Sequence, residues 1–391
     1  MISNFFVNGE AAFSFLLDCI DKATTSIEIQ MFIWRDDELG QMIARSILNA
    51  ANRNVRITIT KDLMGGVFEH GEESRRSFFH QQLPPKLTVI AALINLAYPM
   101  RGKPKKVKSE ISSLAKELIC HPNITVHYQR ILNDHSKFIM IDHKILIISG
   151  MNFEQKEWKY DLLGRPYHDF MMSIEDRQVI ELFEGAKTQG GHPHVRISSK
   201  EQKTEREANL DVSTKIDFIM NTEFNGKRLY NGRKALLNRL KQSKSQITVV
   251  MAYIGDRHIM KAMIELAKKG IQIVMYLPEN ANLQNDLNHY HMKKLLKATQ
   301  NSITIYRCKH MIHGKLIQID HDYISFGSMN LNKGAMELLK ETNIGFYLSD
   351  LGIEKTLLHE LERIKDNSTR VEHWKAIEYN PVKMFAEWLC S

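Results

Sequence analysis

The stretch HSKFIMID, residues 135–142, reads as a strand with chemistry at its entrance. Phe138, Ile139, Met140 and Ile141 form an unbroken apolar run, which suits a strand buried on both faces. His135 and Lys137 are two apart, so on a strand they share a face. The same spelling returns as HGKLIQID, residues 313–320, where His313, Lys315 and Asp320 replace His135, Lys137 and Asp142. Each motif is followed by a matching tail, Ser149-Gly150-Met151-Asn152 and Gly327-Ser328-Met329-Asn330. One such match could be chance. Two with matching tails predict a duplicated site.

If the two strands face each other, one small volume holds two His, two Lys and the tail residues Asn152 and Asn330. That set suits attack on a phosphodiester. One imidazole attacks phosphorus and forms a phospho-histidine. The other protonates the leaving oxygen and then deprotonates the incoming hydroxyl. The ammoniums and amides hold the phosphate oxygens as charge develops. The scheme calls on no metal and no other cofactor. A histidine nucleophile also gains from a carboxylate on its other ring nitrogen. The candidates are Asp169 in the first half and Glu341 in the second, each opening a strand-like run.

The paired motifs resemble those of the phospholipase D superfamily. The tails and the opening FFVNGEAAFSFLLDCIDKATTSIEIQMFIWRDDELG, residues 5–40, are similar to its cardiolipin synthase branch. The resemblance runs from residue 5 to residue 349. It implies transfer of a phosphatidyl group, with phosphatidylglycerol as donor and a second phosphatidylglycerol or a related alcohol as acceptor. Water as acceptor would make the protein a phospholipase D. The resemblance further implies His135 as nucleophile, His313 as acid, and Asp142 and Asp320 as supports. One departure stands out: the first tail reads Ser-Gly where the superfamily pattern has Gly-Ser. The hydroxyl of Ser328 therefore has no equivalent at Gly150.

The chain has 391 residues, enough for two domains. We expect an α/β fold of two pseudo-repeated domains, residues 1–186 and 212–391, with a polar linker at 187–211. Strands alternate with helices in both halves, as in Ser26 to Ile33, Asp37 to Ala50 and Val55 to Thr60, and again from Gln246 to Leu277. That alternation predicts a mostly parallel sheet flanked by helices in each half, with the site at the interface between them. The composition, 43% hydrophobic and 25% charged, is that of a globular chain. The net charge of +8 suits phosphate-bearing partners, an anionic membrane surface or a nucleic acid. Cys19, Cys120, Cys308 and Cys390 form no Cys-x-x-Cys pair, so they read as free thiols of a reducing compartment. His192-Pro193-His194 lies in loop text without a metal-ligand pattern. No secretory signal and no spanning run is evident, which predicts a cytoplasmic or peripheral membrane location.

The first half carries an insertion around residues 64–123. In it the apolar stretch Leu87 to Met100 runs into Arg101, Lys103, Lys105, Lys106 and Lys108. Such text suits an interfacial segment on an anionic membrane, or else a core helix followed by a solvated linker. The C-terminal text with Trp374, Tyr379, Phe385, Trp388 and Leu389 either packs on the core or adds an aromatic anchor. Two rival functions share the motifs' charge. A nuclease of the same superfamily would want stacking aromatics near the motifs, and the sequence has no such cluster. A non-catalytic lipid-binding scaffold would tolerate loss of His, Lys or Asn, yet both copies are intact. One chain carries both motifs, so a monomer suffices for a complete site.

Overall fold

The computed structural model describes residues 2–72, 76–97, 112–161, 163–189, 216–348 and 352–389. Most of the linker, the His192-Pro193-His194 segment, the basic cluster of the insertion and Cys390 lie outside them.

The described residues form two large sheets and a two-stranded one that pairs Tyr167–His168 with Met311–Ile312. The first runs, in spatial order, Ile2–Phe6, Met171–Glu175, Ile145–Ser149, Phe138–Ile141, Ser26–Met31, Arg56–Lys61 and Ile124–His127. The second runs Lys227–Tyr230, Ile216–Phe224, Glu341–Tyr347, Tyr323–Gly327, Lys315–Ile319, Gln246–Met251, Gln272–Pro278, Thr304–Cys308 and Ser368–Arg370. Helices cover the outer faces, as the α/β reading expects. The expected mostly parallel pairing is wrong. Parallel pairing joins Ser26–Met31 to Arg56–Lys61 and Arg56–Lys61 to Ile124–His127, with the equivalent strands in the second sheet. The other pairings within the two sheets are antiparallel.

The reason lies at the end of each motif. Asp142 and His143 have φ of 54° and 51°, and Asp320 and His321 have 54° and 61°. Two consecutive left-handed residues make the tight turn that matches hairpin twist. Each motif strand therefore folds back on its successor, Phe138↔Ile148 and Leu316↔Phe326, instead of crossing over through a helix. Asp is among the few non-glycine residues that enter this backbone readily. Here the Asp142 carboxylate accepts N–H bonds from Thr24 (2.9 Å), Thr25 (2.7 Å) and Ser26 (2.9 Å). Asp320 accepts the equivalent set from Lys244 (2.9 Å), Ser245 (2.8 Å) and Gln246 (3.1 Å). Partial burial pushes Asp142 up, but the amide donors outweigh it and hold the carboxyl well below the usual range.

Side chains along the motif strand alternate between two cores. Ile139 and Ile141 point to the core under the first half's own helices. Phe138 and Met140 point to a core shared between the sheets, where they meet Val250, Leu316, Phe326 and Phe346 of the second half. That second burial is why the run is apolar without alternation. Phe326 packs edge-on to Phe5 at 5.4 Å and against Phe170 at 6.4 Å. The two halves thus pack sheet to sheet through a continuous apolar layer.

The helix Glu38–Asn52 shows how local rules serve this plan. Asp37 caps it by accepting from the Gly40 N–H, and Leu39, Ile43, Ile47 and Ala50 line its buried face. In the insertion, the helix Pro85–Ala97 buries Leu87, Ala91 and Ile94 against Leu63 and Val67. Its other side leaves Val89, Ile90 and Leu93 exposed. Within the described residues the helix thus has one face in a small core and one face exposed. Trp374 packs against the second core, while Phe385 and Trp388 of the helix Pro381–Leu389 are 56% and 46% exposed. Among the described residues no helix is long and apolar enough to cross a membrane.

Candidate active site

Each motif histidine is placed by the other half of the molecule. The His135 N–H donates to the Lys340 carbonyl at 2.9 Å, one residue before Glu341. The His313 and Gly314 N–H groups both donate to the His168 carbonyl, at 3.0 and 2.7 Å, one residue before Asp169. The backbone therefore delivers each imidazole to a carboxylate across the interface. His135 Nδ1 lies 3.1 Å from both Glu341 oxygens. His313 Nδ1 lies 2.9 Å from Asp169 Oδ2. The two candidate carboxylates are thus exchanged between halves, Glu341 beside His135 and Asp169 beside His313. Exchange follows from the pseudo-symmetric packing, because a strand's end meets the facing sheet and not its own.

Exchange also accounts for the unequal tails. Ser328 Oγ donates to Glu341 Oε2, steadying the longer carboxylate. In the first half the shorter Asp169 reaches the same level by lying against Gly150. A Cβ at Gly150 would sit 2.2 Å from Asp169 Oδ1, so no side chain fits there. Gly with Asp and Ser with Glu are two ways of filling one space.

The lysines are deeply buried and held by their own motifs. Lys137 Nζ donates to the His135 carbonyl at 2.7 Å, and lies 5.5 Å from the Phe32 ring centre. Lys315 Nζ donates to the His313 carbonyl and lies 3.7 Å from Asp169 Oδ2. Asn152 accepts from the Ile33 N–H at 3.3 Å and donates to Glu154 Oε1 at 3.3 Å. The Asn330 amide oxygen is buried with no hydrogen-bond partner among the described residues. Leaving such a group unpaired costs about 1–3 kcal/mol, which a donor on a bound ligand would recover. Asp142 and Asp320 stand at the far ends of their strands, each bonded to the turn that opens a neighbouring strand.

Sequence reasoning missed one residue, Glu157. Its Oε1 lies 2.8 Å from His313 Nδ1, so two carboxylates face one imidazole nitrogen. It follows Asn152 in the text NFEQKEW, and only the acidic pair Glu154 and Glu157, without counterpart at the second tail, could have drawn attention to it. Nothing in the spacing brings it to His313. Behind it, Arg35 is buried between Glu72 (2.7 Å) and Glu154 (2.6 Å), and Lys156 bridges the same two at 2.8 and 3.2 Å. Buried charges of this kind persist only when each is paired.

The two imidazoles differ electrically. Burial lowers His135 well below its ordinary value, and the nearby Lys137, Lys315 and His313 charges push the same way. Burial would lower His313 too, but Glu157 and Asp169 more than reverse it and the net shift is upward. Burial raises Glu341 to about 8, against the pull of Lys137 and the Ser328 hydroxyl. Burial raises Asp169 as well, yet Lys315 and His313 prevail and hold it down. Lys137 is pushed down to about 7 by burial and by Lys315. The surroundings therefore drive the two imidazoles apart, His135 toward the neutral form and His313 toward the protonated one.

A family model described as cardiolipin synthase, PLD-like domain, matches residues 16–186 and 236–364. The chain belongs to this family. Membership carries the enzyme class, a phospholipase D-like phosphatidyltransferase. Within the cardiolipin synthase family it is 20% identical to cardiolipin synthase B of Salmonella typhi over 373 residues, covering 93% of this chain and 80% of that one. It is also 20% identical to a cardiolipin synthase of Clostridium perfringens, over 88% of this chain and 66% of that protein. The fold matches the crystal structure of phosphatidylserine synthase from Haemophilus influenzae with a TM-score of 0.66, over 99% of this chain and 92% of that one at 11% identity.

Proposed function

We propose that this member of the cardiolipin synthase family moves a phosphatidyl group between glycerol hydroxyls through a phospho-histidine at His135, with phosphatidylglycerol as donor and acceptor. The observation that carries the reading is the pair of unequal imidazoles, each backed on Nδ1 by a carboxylate of the opposite half. His135 is uncharged, so its Nε2 lone pair is free for attack on phosphorus while Nδ1–H faces Glu341. The bond to the leaving glycerol oxygen breaks as His313 gives that oxygen its proton. Positive charge then appears on the phosphorylated His135, and the Nδ1–H donates to Glu341, whose own raised value of about 8 gives it a proton to lose as that charge develops. An incoming hydroxyl next loses its proton to His313 and attacks phosphorus, and the P–N bond breaks to restore His135. Lys137, Lys315 and the tail amides hold the phosphate oxygens throughout. Each step uses groups of this chain alone.

The direct test is incubation with phosphatidylglycerol vesicles and added glycerol or ethanol, with products read by mass spectrometry. Cardiolipin or a new phosphatidyl-alcohol supports the proposal. Phosphatidic acid alone would make water the acceptor, and cleavage of single-stranded DNA with no lipid product would replace the reading by a nuclease.

The titrations give a signed expectation. His135 is active when neutral, and its lowered value keeps it so well below pH 6.5. Lys137 must be protonated to hold phosphate, and at about 7 it loses that proton as pH rises. The profile of kcat/KM should therefore be broad on the acid side and fall above about pH 7. Bound phosphate favours the ammonium, so kcat should hold to higher pH than kcat/KM. A kcat/KM that climbs to a plateau at alkaline pH would contradict this assignment of charge.

The membrane contact is proposed at the helices Pro85–Ala97 and Pro381–Leu389, which touch one another. They present Val89, Leu93, Val382, Phe385 and Trp388 to solvent. Beside them a cavity of about 610 Å³ carries Arg257, Lys294 and Lys333 under the wall formed by Phe385 and Trp388. Apolar side chains next to cations suit an anionic bilayer. Burying an aromatic side chain contributes about 1.5–3 kcal/mol. Phe385→Ser with Trp388→Ser should then weaken sedimentation with phosphatidylglycerol vesicles by roughly tenfold or more. Unchanged vesicle binding would remove these helices from the contact.

A further inference from the structure

We propose that His168, Cys308 and His310 form a binding site for a thiophilic divalent cation of the Zn²⁺ class, clasping the two halves of the molecule together. The three side chains converge although they come from distant segments. His168 belongs to the strand Tyr167–His168, which pairs in parallel with Met311–Ile312 of the other half. Cys308 ends the strand Thr304–Cys308, and His310 follows it two residues on. His168 Nε2 lies 3.0 Å from His310 Nδ1, and the ligand atoms of all three residues lie within 4.8 Å of one another. His168 and Cys308 are fully buried, and His310 is half-buried, which leaves solvent a route to a fourth position.

The surroundings favour a metal over a bare histidine pair. The other nitrogen of His168, Nδ1, faces Glu360 Oε1 at 2.7 Å. A ligating histidine is ordinarily oriented in this way, its second nitrogen tied to a carboxylate that fixes the tautomer and leaves Nε2 free. Glu360 is shared with Arg363 at 2.8 Å, and Arg363 also lies 3.2 Å from His168 Nδ1. That guanidinium is neutralised by Glu360 and stands on the side of the ring away from the cation. One thiolate and two imidazoles are the donor set of Zn²⁺, Co²⁺ and Cu²⁺ and not of Mg²⁺ or Ca²⁺. Bond lengths of about 2.0–2.3 Å put tetrahedral donors roughly 3.3–3.8 Å apart, so side-chain shifts of a few tenths of an ångström to about one complete the site. On binding, the Cys308 thiol loses its proton to solvent and the sulfur takes the metal, so affinity should rise with pH. No part of this site rests on the proposed transfer reaction.

The test uses the full chain, stripped of metal and given one equivalent of Co²⁺. The expected result is a thiolate-to-cobalt charge-transfer band with tetrahedral d–d absorption, both displaced by Zn²⁺, and one Zn²⁺ retained per chain after gel filtration. Cys308→Ser should abolish the charge-transfer band and lower Zn²⁺ affinity at least tenfold. The active-site group Glu157, Asp169 and His313 has no thiol and cannot produce that band. Should Cys308→Ser fail to fold, His310→Ala at the half-buried position carries the test, with an equal loss of affinity expected. Absence of the band in the wild-type chain, or Co²⁺ affinity unchanged in either variant, overturns the site.

Discussion

Replacing His135 by Ala is expected to remove phosphatidyl transfer by roughly 10⁵-fold or more, the scale on which loss of a covalent nucleophile is felt. The protein should remain folded. His135 contributes one ring packed at 4.8 Å against Phe32 and one contact to Glu341, which keeps its Ser328 donor. The thermal midpoint should drop by a few degrees at most, since a single lost hydrogen bond is worth about 0.5–1.5 kcal/mol. The decisive readout is chemical. Wild-type enzyme quenched during turnover of labelled phosphatidylglycerol should carry an acid-labile, base-stable label at His135, and the variant should carry none. A folded His135→Ala enzyme that kept activity within tenfold would move the nucleophile to His313.

Asp169→Asn is expected to cost about 10⁴-fold in kcat, by analogy with the aspartate behind a catalytic histidine. The effect should act through His313, from which Asp169 is separated by 144 positions in sequence and 2.9 Å in space. In a His313→Ala background the added loss from Asp169→Asn should be small, because groups that work as a unit are non-additive. Full additivity would mean that Asp169 serves some other group and that the cross-half pairing does not operate. Glu157 leaves one carboxylate beside His313 Nδ1 in the Asp169→Asn enzyme. A residual rate is therefore expected, and Glu157→Gln added to Asp169→Asn should reduce it further. With its carboxylates weakened, His313 should also lose its proton at lower pH, drawing in the alkaline limb of the kcat profile.

Much of the site was legible because local chemistry writes it in short spacing. His135, Lys137 and Asp142 recur as His313, Lys315 and Asp320, and the apolar runs between them, broken once by Gln318, read as strands covered on both faces. The α/β class and the duplication followed from the same text. The pairing sense of the sheets did not. Alternating helices and strands point to parallel crossovers, and the turns at Asp142-His143 and Asp320-His321 reverse the chain in two residues through a backbone that those residue types adopt without announcing it. Nor did the text say where the apolar insertion would lie. The helix Pro85–Ala97 has apolar residues all round, and only packing against Leu63 and Val67 determined which of them stay exposed.

By itself, then, the sequence determined the candidate reactive groups, their doubling and the strands that carry them, because those depend on residues within a few positions of one another. Only the tertiary structure decided which carboxylate stands beside which histidine and which imidazole is pushed toward its charged form. Glu341 reaches His135, and Asp169 with Glu157 reaches His313, because the two sheets meet face to face. The electrostatics of a buried imidazole are set by what stands within a few ångströms of it, wherever in the chain that neighbour began.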